Sequence, residues 1–305
     1  MSWQRRAINA WMRYALKPVL QHVGTPDLAR GSFERLMPLI CPPLPLTRLL
    51  PRPAPVPLAL VACGPARPGK IILFLHGGAF LAGSARSYLG LLSRLSAAAG
   101  TEIAVPGYRL LQEAPFPAAF DDARAAWRHL RGQGYGAGDI LLAGDSAGGG
   151  LALALLAALL DEGERPAGLL AFSPWCDLTL SGGSIAANRA SDVLIPAGRM
   201  AEAVELYLGG AAPDDPRASP LFAAFRDPPP VLIQISDTEV LLSDSQRMAA
   251  RLTAAGSDVQ LSVWRDLPHV WPLLAGVLPE GRAAIAEAAD FAQEVLGGTQ
   301  AAGSR

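Results

Sequence analysis

From about residue 58 onward, short aliphatic runs alternate with longer amphipathic segments. The aliphatic runs, of which residues 71–75 are typical, have no polar alternation, which predicts strands of a parallel sheet buried on both faces. The predicted strands are residues 58–62, 70–75, 102–105, 139–143, 169–173, 231–236 and 259–264. The predicted helices lie near residues 85–99, 118–131, 147–161, 243–255 and 280–296. This alternation indicates an α/β fold with helices on both faces of the sheet.

Three stretches depart from this pattern. Residues 1–40 predict amphipathic helices with a break near 24–26. Residues 41–57 contain seven prolines, and because proline disfavours helix they predict an extended connector and a domain boundary. Residues 177–220 are rich in Ser, Gly and Asn and then in Pro, which predicts an insertion over the sheet with a short helix near 198–208.

The composition narrows the class of protein. The 26 Lys and Arg residues balance 27 Asp and Glu residues without a basic stripe, so we expect no nucleic-acid partner. Three widely spaced cysteines fit neither a disulfide framework nor a zinc site, which indicates a reducing compartment. The N-terminal helix is interrupted by Asn9 and Arg13 and therefore lacks the apolar core of a signal peptide. These observations predict a cytoplasmic protein.

Membrane insertion is not expected from the apolar runs. The longest of them, residues 147–160, has 14 residues and begins with small ones. A helix that crosses a bilayer needs about 20. The run therefore predicts a buried helix and no stable membrane insertion.

Gly-Asp-Ser-Ala-Gly at residues 144–148 lies between a predicted strand and a predicted helix. Gly-x-Ser-x-Gly in that context is typical of a nucleophile elbow, a sharp turn that exposes the serine hydroxyl at the carboxyl end of a sheet. Both glycines are needed because a side chain would collide with the neighbouring strand or helix. The turn also directs the N–H of Ala147 toward developing negative charge. The alternative is a glycine-rich turn in which Ser146 is incidental.

A serine nucleophile needs a base and an acid. Of the four histidines, His269 alone follows Ser146 in the chain, as the order Ser, acid, His of α/β hydrolases requires. The acid should follow the strand at 231–236, where Asp237, Glu239 and Asp244 compete. Asp244 also suits a helix cap. The pattern alone does not separate Asp237 from Glu239.

His76-Gly77-Gly78-Ala79 follows the strand at 70–75. Small residues there let backbone N–H groups approach an acyl oxygen, as an oxyanion hole requires. The alternative is a tight turn that the His76 side chain stabilises. Phosphate-binding loops fit less well, because residues 144–150 match neither G-x-G-x-x-G nor a P-loop ending. We expect no cofactor and no metal site.

Taken together, these motifs resemble those of the bacterial hormone-sensitive-lipase family of carboxylesterases. The matching segments are His-Gly-Gly-Ala-Phe (76–80), Tyr-Arg-Leu-Leu-Gln-Glu (108–113), Pro-Phe-Pro-Ala-Ala (115–119), Gly-Asp-Ser-Ala-Gly-Gly (144–149), Ser-Pro-Trp-Cys-Asp-Leu (173–178) and Pro-His-Val-Trp (268–271). The resemblance implies an α/β-hydrolase fold with a mostly parallel eight-stranded sheet and a helical cap. It also implies hydrolysis of short-chain acyl esters without metal or cofactor.

The resemblance also implies domain boundaries. An N-terminal cap segment would comprise residues 1–45 and a second cap segment residues 180–212. The catalytic domain would comprise residues 46–179 and 213–298, followed by a disordered tail at 299–305. The partner would be a small-molecule ester, and the resemblance leaves the oligomeric state open, a homodimer included.

Site roles follow residue by residue from the resemblance. Ser146 would be the nucleophile and His269 the base, and the leucine two residues after the acid, Leu241, favours Glu239. The implied oxyanion-hole residues are Gly77, Gly78, Ala79 and Ala147. The implied substrate-binding residues are Phe80, Trp175 and Trp271. Ala79 departs from the usual third glycine and adds a methyl group at the acyl site.

Two other functions compete with a short-chain carboxylesterase. An acetyl-hydrolase or lactone hydrolase would use the same triad on another substrate. A ligand-binding protein on a hydrolase scaffold would have lost the chemistry, but such proteins usually lack a triad member, and here His269 is present.

Overall fold

A computed structural model describes residues 2–22 and 24–297 of the chain. Its centre is an eight-stranded sheet in the order β1-β2-β4-β3-β5-β6-β7-β8. The strands are β1 Arg48–Arg52, β2 Leu58–Ala62, β3 Ile71–Leu75, β4 Glu102–Pro106, β5 Ile140–Asp145, β6 Gly168–Phe172, β7 Val231–Ser236 and β8 Val259–Trp264. Strands β3 to β8 are mutually parallel, whereas β2 runs antiparallel to both of its neighbours. This is the mostly parallel α/β-hydrolase sheet that the resemblance implies.

Helices cover both faces of the sheet. The helices are α1 Trp3–Trp11, α2 Lys17–His22, α3 Pro26–Ile40, α4 Leu89–Ala99, α5 Ala118–Gly132, α6 Ser146–Asp161, α7 Gly183–Ala187, α8 Met200–Leu208, α9 Leu242–Ala254 and α10 Pro279–Gly297, with a π-helical turn at Met12–Leu16 between α1 and α2. Along β3, Leu73 packs in one cluster with residues of α5 and α6, while Phe74 packs in another with residues of α4 and α10. Successive strand residues thus enter opposite core layers, which explains why the strands are aliphatic throughout.

Strand β1 was not predicted, because it lies within the proline-rich stretch expected to be a connector. It is an edge strand that pairs with β2 alone. A strand with one free edge can accommodate Pro51, which lacks an N–H, and can place arginine at both ends. The other seven strands lie within two residues of their predicted limits.

The N-terminal helices pack against loops at the carboxyl edge of the sheet. In α1, Arg5 donates a hydrogen bond to the carbonyl oxygen of Arg265, and Asn9 to that of Asp266. Arg13 and Lys17 donate to backbone carbonyls within residues 189–192. The two segments predicted to form a cap therefore contact each other and the loop that precedes His269.

Two further predictions from the sequence concern the C-terminal tail and membrane insertion. The predicted disordered tail, residues 299–305, lies outside the described residues. Among the helices that the structure describes, none is both long and apolar enough to cross a bilayer.

Candidate active site

Ser146 stands at a turn with no linking residue, since β5 ends at Asp145 and α6 begins at Ser146. Its φ of 51° lies in the left-handed region, which is strained for a non-glycine residue. A Cβ on Gly144 would overlap the carbonyl oxygen of Gly148, and one on Gly148 would overlap that of Leu75. Glycine at both positions is therefore a steric requirement of the elbow. Ser146 itself is partly exposed.

A chain of hydrogen bonds connects Ser146, His269 and Glu239. Ser146 Oγ lies 2.9 Å from His269 Nε2, and His269 Nδ1 lies 2.5 Å from Glu239 Oε2. Glu239 Oε1 also accepts from the N–H of Ser236 and the hydroxyl of Ser173, each at 2.8 Å. These fixed donors hold the carboxylate, which in turn keeps the proton of a neutral His269 on Nδ1 and leaves Nε2 free to accept from the serine.

Burial and charge act in opposite directions on His269. Burial alone lowers its pKa, but the charge of Glu239 and the hydrogen bond to that carboxylate outweigh the loss of solvation and raise the pKa above the usual value. Glu239 is 1% exposed. Because water screens a pair this buried only weakly, the carboxylate is well placed to stabilise an imidazolium.

The two other carboxylates that competed for the role of triad acid bind other partners. Asp237 is exposed, and its Oδ1 accepts from the N–H of Asp266. Asp244 is buried, and its Oδ2 accepts from the N–H groups of Cys176 and Asp177. The alternative of a helix cap for Asp244 is wrong, because this carboxylate supports a neighbouring loop and not the start of its own helix. Burial raises the pKa of Asp244 to about 7.

The turn after β3 places small residues beside the serine. The N–H of Gly77 donates to Asp145 Oδ1 at 2.8 Å. Among the described residues, the N–H groups of Gly78 and Ala79 have no acceptor, and that of Ala147 lies in the first turn of α6, where intrahelical acceptors are absent. The inclusion of Gly77 among the oxyanion donors therefore conflicts with the structure, because the carboxylate of Asp145 already occupies its N–H.

Buried tyrosines and Asp145 support this turn. His76 stacks on Tyr108 at a centroid distance of 4.4 Å, and Tyr108 donates its hydroxyl to the carbonyl oxygen of His76 at 2.6 Å. Burial lowers the pKa of His76 to about 4, so this ring is neutral and structural. Tyr88 donates to Asp145 Oδ2 at 2.9 Å, and burial raises the pKa of Asp145 to about 7. Sequence reasoning missed both tyrosines, and only Tyr108 lies within a recognised motif.

The three predicted substrate-binding aromatic residues have different surroundings. Phe80 stacks on Tyr207 of α8, directly after the turn. The backbone N–H of Trp175 donates to the carbonyl oxygen of Ser146 at 2.9 Å, and its indole N–H donates to the carbonyl oxygen of Asp177. Trp271 is fully buried in a cluster that includes Trp264 and lies beneath the N-terminal helix. This placement argues against contact between Trp271 and a substrate, because its ring is occupied by core packing.

Known proteins resemble this chain in sequence and in fold. Residues 72–273 match a family model described as an alpha/beta hydrolase fold. An acetyl-hydrolase of Streptomyces hygroscopicus is 42% identical over 235 residues, which are 76% of this chain and 79% of the relative. A crystal structure of an esterase from the bacterial hormone-sensitive lipase family superposes with a TM-score of 0.92 at 36% identity, covering 97% of this chain and 99% of that one. A crystal structure of EstE5 that was soaked with p-nitrophenyl butyrate superposes with a TM-score of 0.91 at 32% identity, covering 97% of this chain and 100% of that one.

Proposed function

The chain belongs to the bacterial hormone-sensitive-lipase family of α/β-hydrolase esterases, and we propose that it hydrolyses short-chain acyl esters through an acyl-enzyme intermediate. The observation that carries this proposal is the hydrogen-bonded series from Ser146 through His269 to Glu239, at 2.9 and 2.5 Å. These distances are those of a nucleophile, its general base and the acid that orients the base. The complete series also opposes a ligand-binding protein without chemistry.

In the first half of the reaction, Ser146 Oγ attacks the ester carbonyl carbon while His269 Nε2 takes the hydroxyl proton. Glu239 stabilises the imidazolium that results. Collapse of the tetrahedral intermediate breaks the bond to the alcohol oxygen, to which His269 returns the proton. In the second half, His269 takes a proton from water while the water oxygen attacks the acyl carbonyl carbon. Collapse of this second tetrahedral intermediate breaks the bond to Ser146 Oγ, to which His269 returns the proton, and the acid is released.

During the attack by Ser146, negative charge develops on the carbonyl oxygen of the ester, which needs hydrogen-bond donors that are not already used by the protein. We infer that Gly78, Ala79 and Ala147 supply these donors, because their N–H groups have no acceptor among the described residues or stand at a helix N-terminus. Donors fixed in advance lower the barrier because they need not reorganise as charge forms; the loss of one typically costs about 10²–10³ in kcat. The buried Asp145 contributes indirectly, by fixing the first residue of the turn.

The preference for short acyl groups rests on the residues next to the donors. Ala79 places a methyl group where the family resemblance implies a glycine, and the adjacent Phe80 is fixed by its stack on Tyr207. Both features restrict the space for an acyl chain. The similarity to an acetyl-hydrolase favours a second candidate, an enzyme selective for acetyl esters.

We also infer a cytoplasmic location from Cys41, Cys63 and Cys176, which are free and buried.

A series of p-nitrophenyl esters from acetate to palmitate tests the proposal. We expect kcat/KM to peak near butyrate or hexanoate, since each methylene adds up to about 0.8 kcal/mol of binding until the pocket is full. A burst of p-nitrophenol equal to the enzyme concentration would report the acyl-enzyme. A sharp optimum at acetate would favour the acetyl-hydrolase, and a steady rise through palmitate would contradict a short-chain enzyme. In the same assays, Ser146→Ala removes the proposed nucleophile. Its matched control is Ser32→Ala, which changes an exposed serine of α3.

A further inference from the structure

The outer side of α1 and of the π-helical turn after it exposes three large aromatic residues. Trp3 is 74% exposed, Trp11 48% and Tyr14 80%. Their spacing of eight and three residues places them on one side of a helix. The opposite side packs on the protein, where Met12 is buried beside Trp271. We call Trp3, Trp11 and Tyr14 the aromatic face.

The segment that carries the aromatic face supplies basic residues and no acidic ones, although two carboxylates of other segments contact it: Glu280 accepts from Ser2, and Asp266 accepts from Asn9. Residues 2–22 contain Arg5, Arg6, Arg13 and Lys17 and no Asp or Glu. Arg5 pairs with Asp266 at 3.4 Å. Arg13 and Lys17 donate to carbonyl groups, which do not cancel their charge. The exposed Arg6 has no acidic partner within salt-bridge distance in the described part of the chain.

The aromatic face is carried by a helix that contacts loops close to the catalytic residues. The helix that carries it is held by Asn9 to the carbonyl oxygen of Asp266, three residues before His269. Lys17 binds the carbonyl oxygen of Asp192, whose carboxylate accepts from the N–H of Val240, next to Glu239. A surface that contacts this helix would therefore lie close to the loops of the site.

We propose that the aromatic face binds reversibly to the surface of an anionic phospholipid membrane. Trp and Tyr are the side chains that favour the boundary between water and lipid, and cations beside them attract anionic headgroups. A second copy of the chain fits less well, because a two-fold contact would bring this acid-free segment against its own arginines. The N-terminal helix would then act as a peripheral membrane anchor beside the active site.

Vesicle co-sedimentation with the full-length chain tests this inference. The protein carries Ser146→Ala, so that binding is measured without hydrolysis and independently of the proposed function. Vesicles of phosphatidylcholine are compared with vesicles that also contain phosphatidylglycerol. We expect at least about tenfold stronger partitioning to the anionic vesicles at low salt, declining as salt screens the charges.

Variants assign the binding to the aromatic face. Trp3→Ser with Tyr14→Ser should weaken partitioning at least about tenfold, and Arg6→Glu several-fold. The matched control is Phe222→Ser, which removes an aromatic residue that is 42% exposed on another part of the surface and should change nothing. Unchanged thermal melting shows that the variants fold.

Three results would overturn the inference. One is the absence of binding to either kind of vesicle. Another is equal binding to neutral and anionic vesicles. The third is a dimer, seen by light scattering, that Trp3→Ser with Tyr14→Ser converts to monomer, since the face would then be an interface between two copies.

Discussion

Phe80 and Tyr207 lie face to face, with ring centroids 3.7 Å apart and an interplanar angle of 6°. Phe80 directly follows Ala79, one of the proposed oxyanion donors. Tyr207 belongs to α8 in the second predicted cap segment, and its carbonyl oxygen accepts from the N–H of Phe116. The stack therefore joins this segment to the turn that carries the donors.

Replacement of Tyr207 should separate the role of its ring from that of its hydroxyl. The hydroxyl is buried and has no hydrogen-bond partner among the residues that the structure describes, so Tyr207→Phe should keep activity and raise stability by up to about 1 kcal/mol. Tyr207→Ala should cost about 3–5 kcal/mol of stability and reduce kcat/KM, because Phe80 loses its support. Thermal unfolding and p-nitrophenyl butyrate kinetics measure both effects. Equal kcat/KM in the two folded variants would show that the stack does not position the turn.

Ser146→Ala and His269→Ala should each reduce kcat by about 10⁴–10⁶ while the fold survives. Each residue is the sole candidate for its role, and the residual rate would come from the oxyanion donors and substrate binding. Single-turnover assays with p-nitrophenyl butyrate and circular dichroism provide the measurements. Near-normal activity in either folded variant would refute the proposed mechanism.

Glu239→Gln should reduce kcat by about 10²–10⁴, because it removes the charge that stabilises the imidazolium. Asp237→Asn is the matched control, since this exposed carboxylate lies on the same loop and bonds the N–H of Asp266 instead of His269. It should change kcat by less than about threefold. The opposite ranking in steady-state assays would assign the acid to Asp237.

The pH profile should follow the protonation of His269. The base acts when neutral, so kcat/KM should fall as the pH drops through its raised pKa. Glu239→Gln removes the charge that raises this pKa, so the acid limb should move to lower pH. Asp237→Asn should leave the limb in place. Profiles of kcat/KM for the wild type and both variants measure the shift, and an acid limb that stays unmoved in Glu239→Gln would exclude His269 as the titrating base.

Deletion of residues 1–40 should lower solubility and raise KM or abolish activity. The deletion uncovers the cluster that includes Leu267 and Trp271 on the His269 loop, and it removes the contacts of Arg5 and Asn9 with that loop. Yield, light scattering and p-nitrophenyl butyrate kinetics would measure the loss. Unchanged kinetics in a folded truncated protein would show that the segment does not shape the site.

Sequence reasoning worked where a residue's role follows from its local context. The aliphatic runs predicted seven strands because burial on both faces leaves little room for polar residues. The Gly-x-Ser-x-Gly motif placed Ser146 at the end of a strand because the turn tolerates nothing but glycine two residues before and two residues after the serine. In contrast, β1 was missed because an edge strand does not need the aliphatic pattern.

Contacts between distant segments could not be predicted in the same way. Glu239 and Asp237 are two residues apart, and the pattern could not show which of them would point at a histidine 30 residues away. Gly77 was expected to donate to substrate because nothing local indicated that Asp145, 68 residues later, would take its N–H. Trp271 was assigned to the site because residues 268–271 resemble a family motif, but packing against the N-terminal helix determines its position.

The direct junction of β5 and α6 constrains attempts to redesign this molecule. Because no residue links the strand to the helix, the position of Ser146 cannot be adjusted by lengthening or shortening a loop. Insertions there would displace a central strand or a helix that is buried along most of its length. Directed evolution toward new substrates is therefore better aimed at the neighbourhood of Phe80 and Tyr207, where side chains can change while the nucleophile stays fixed.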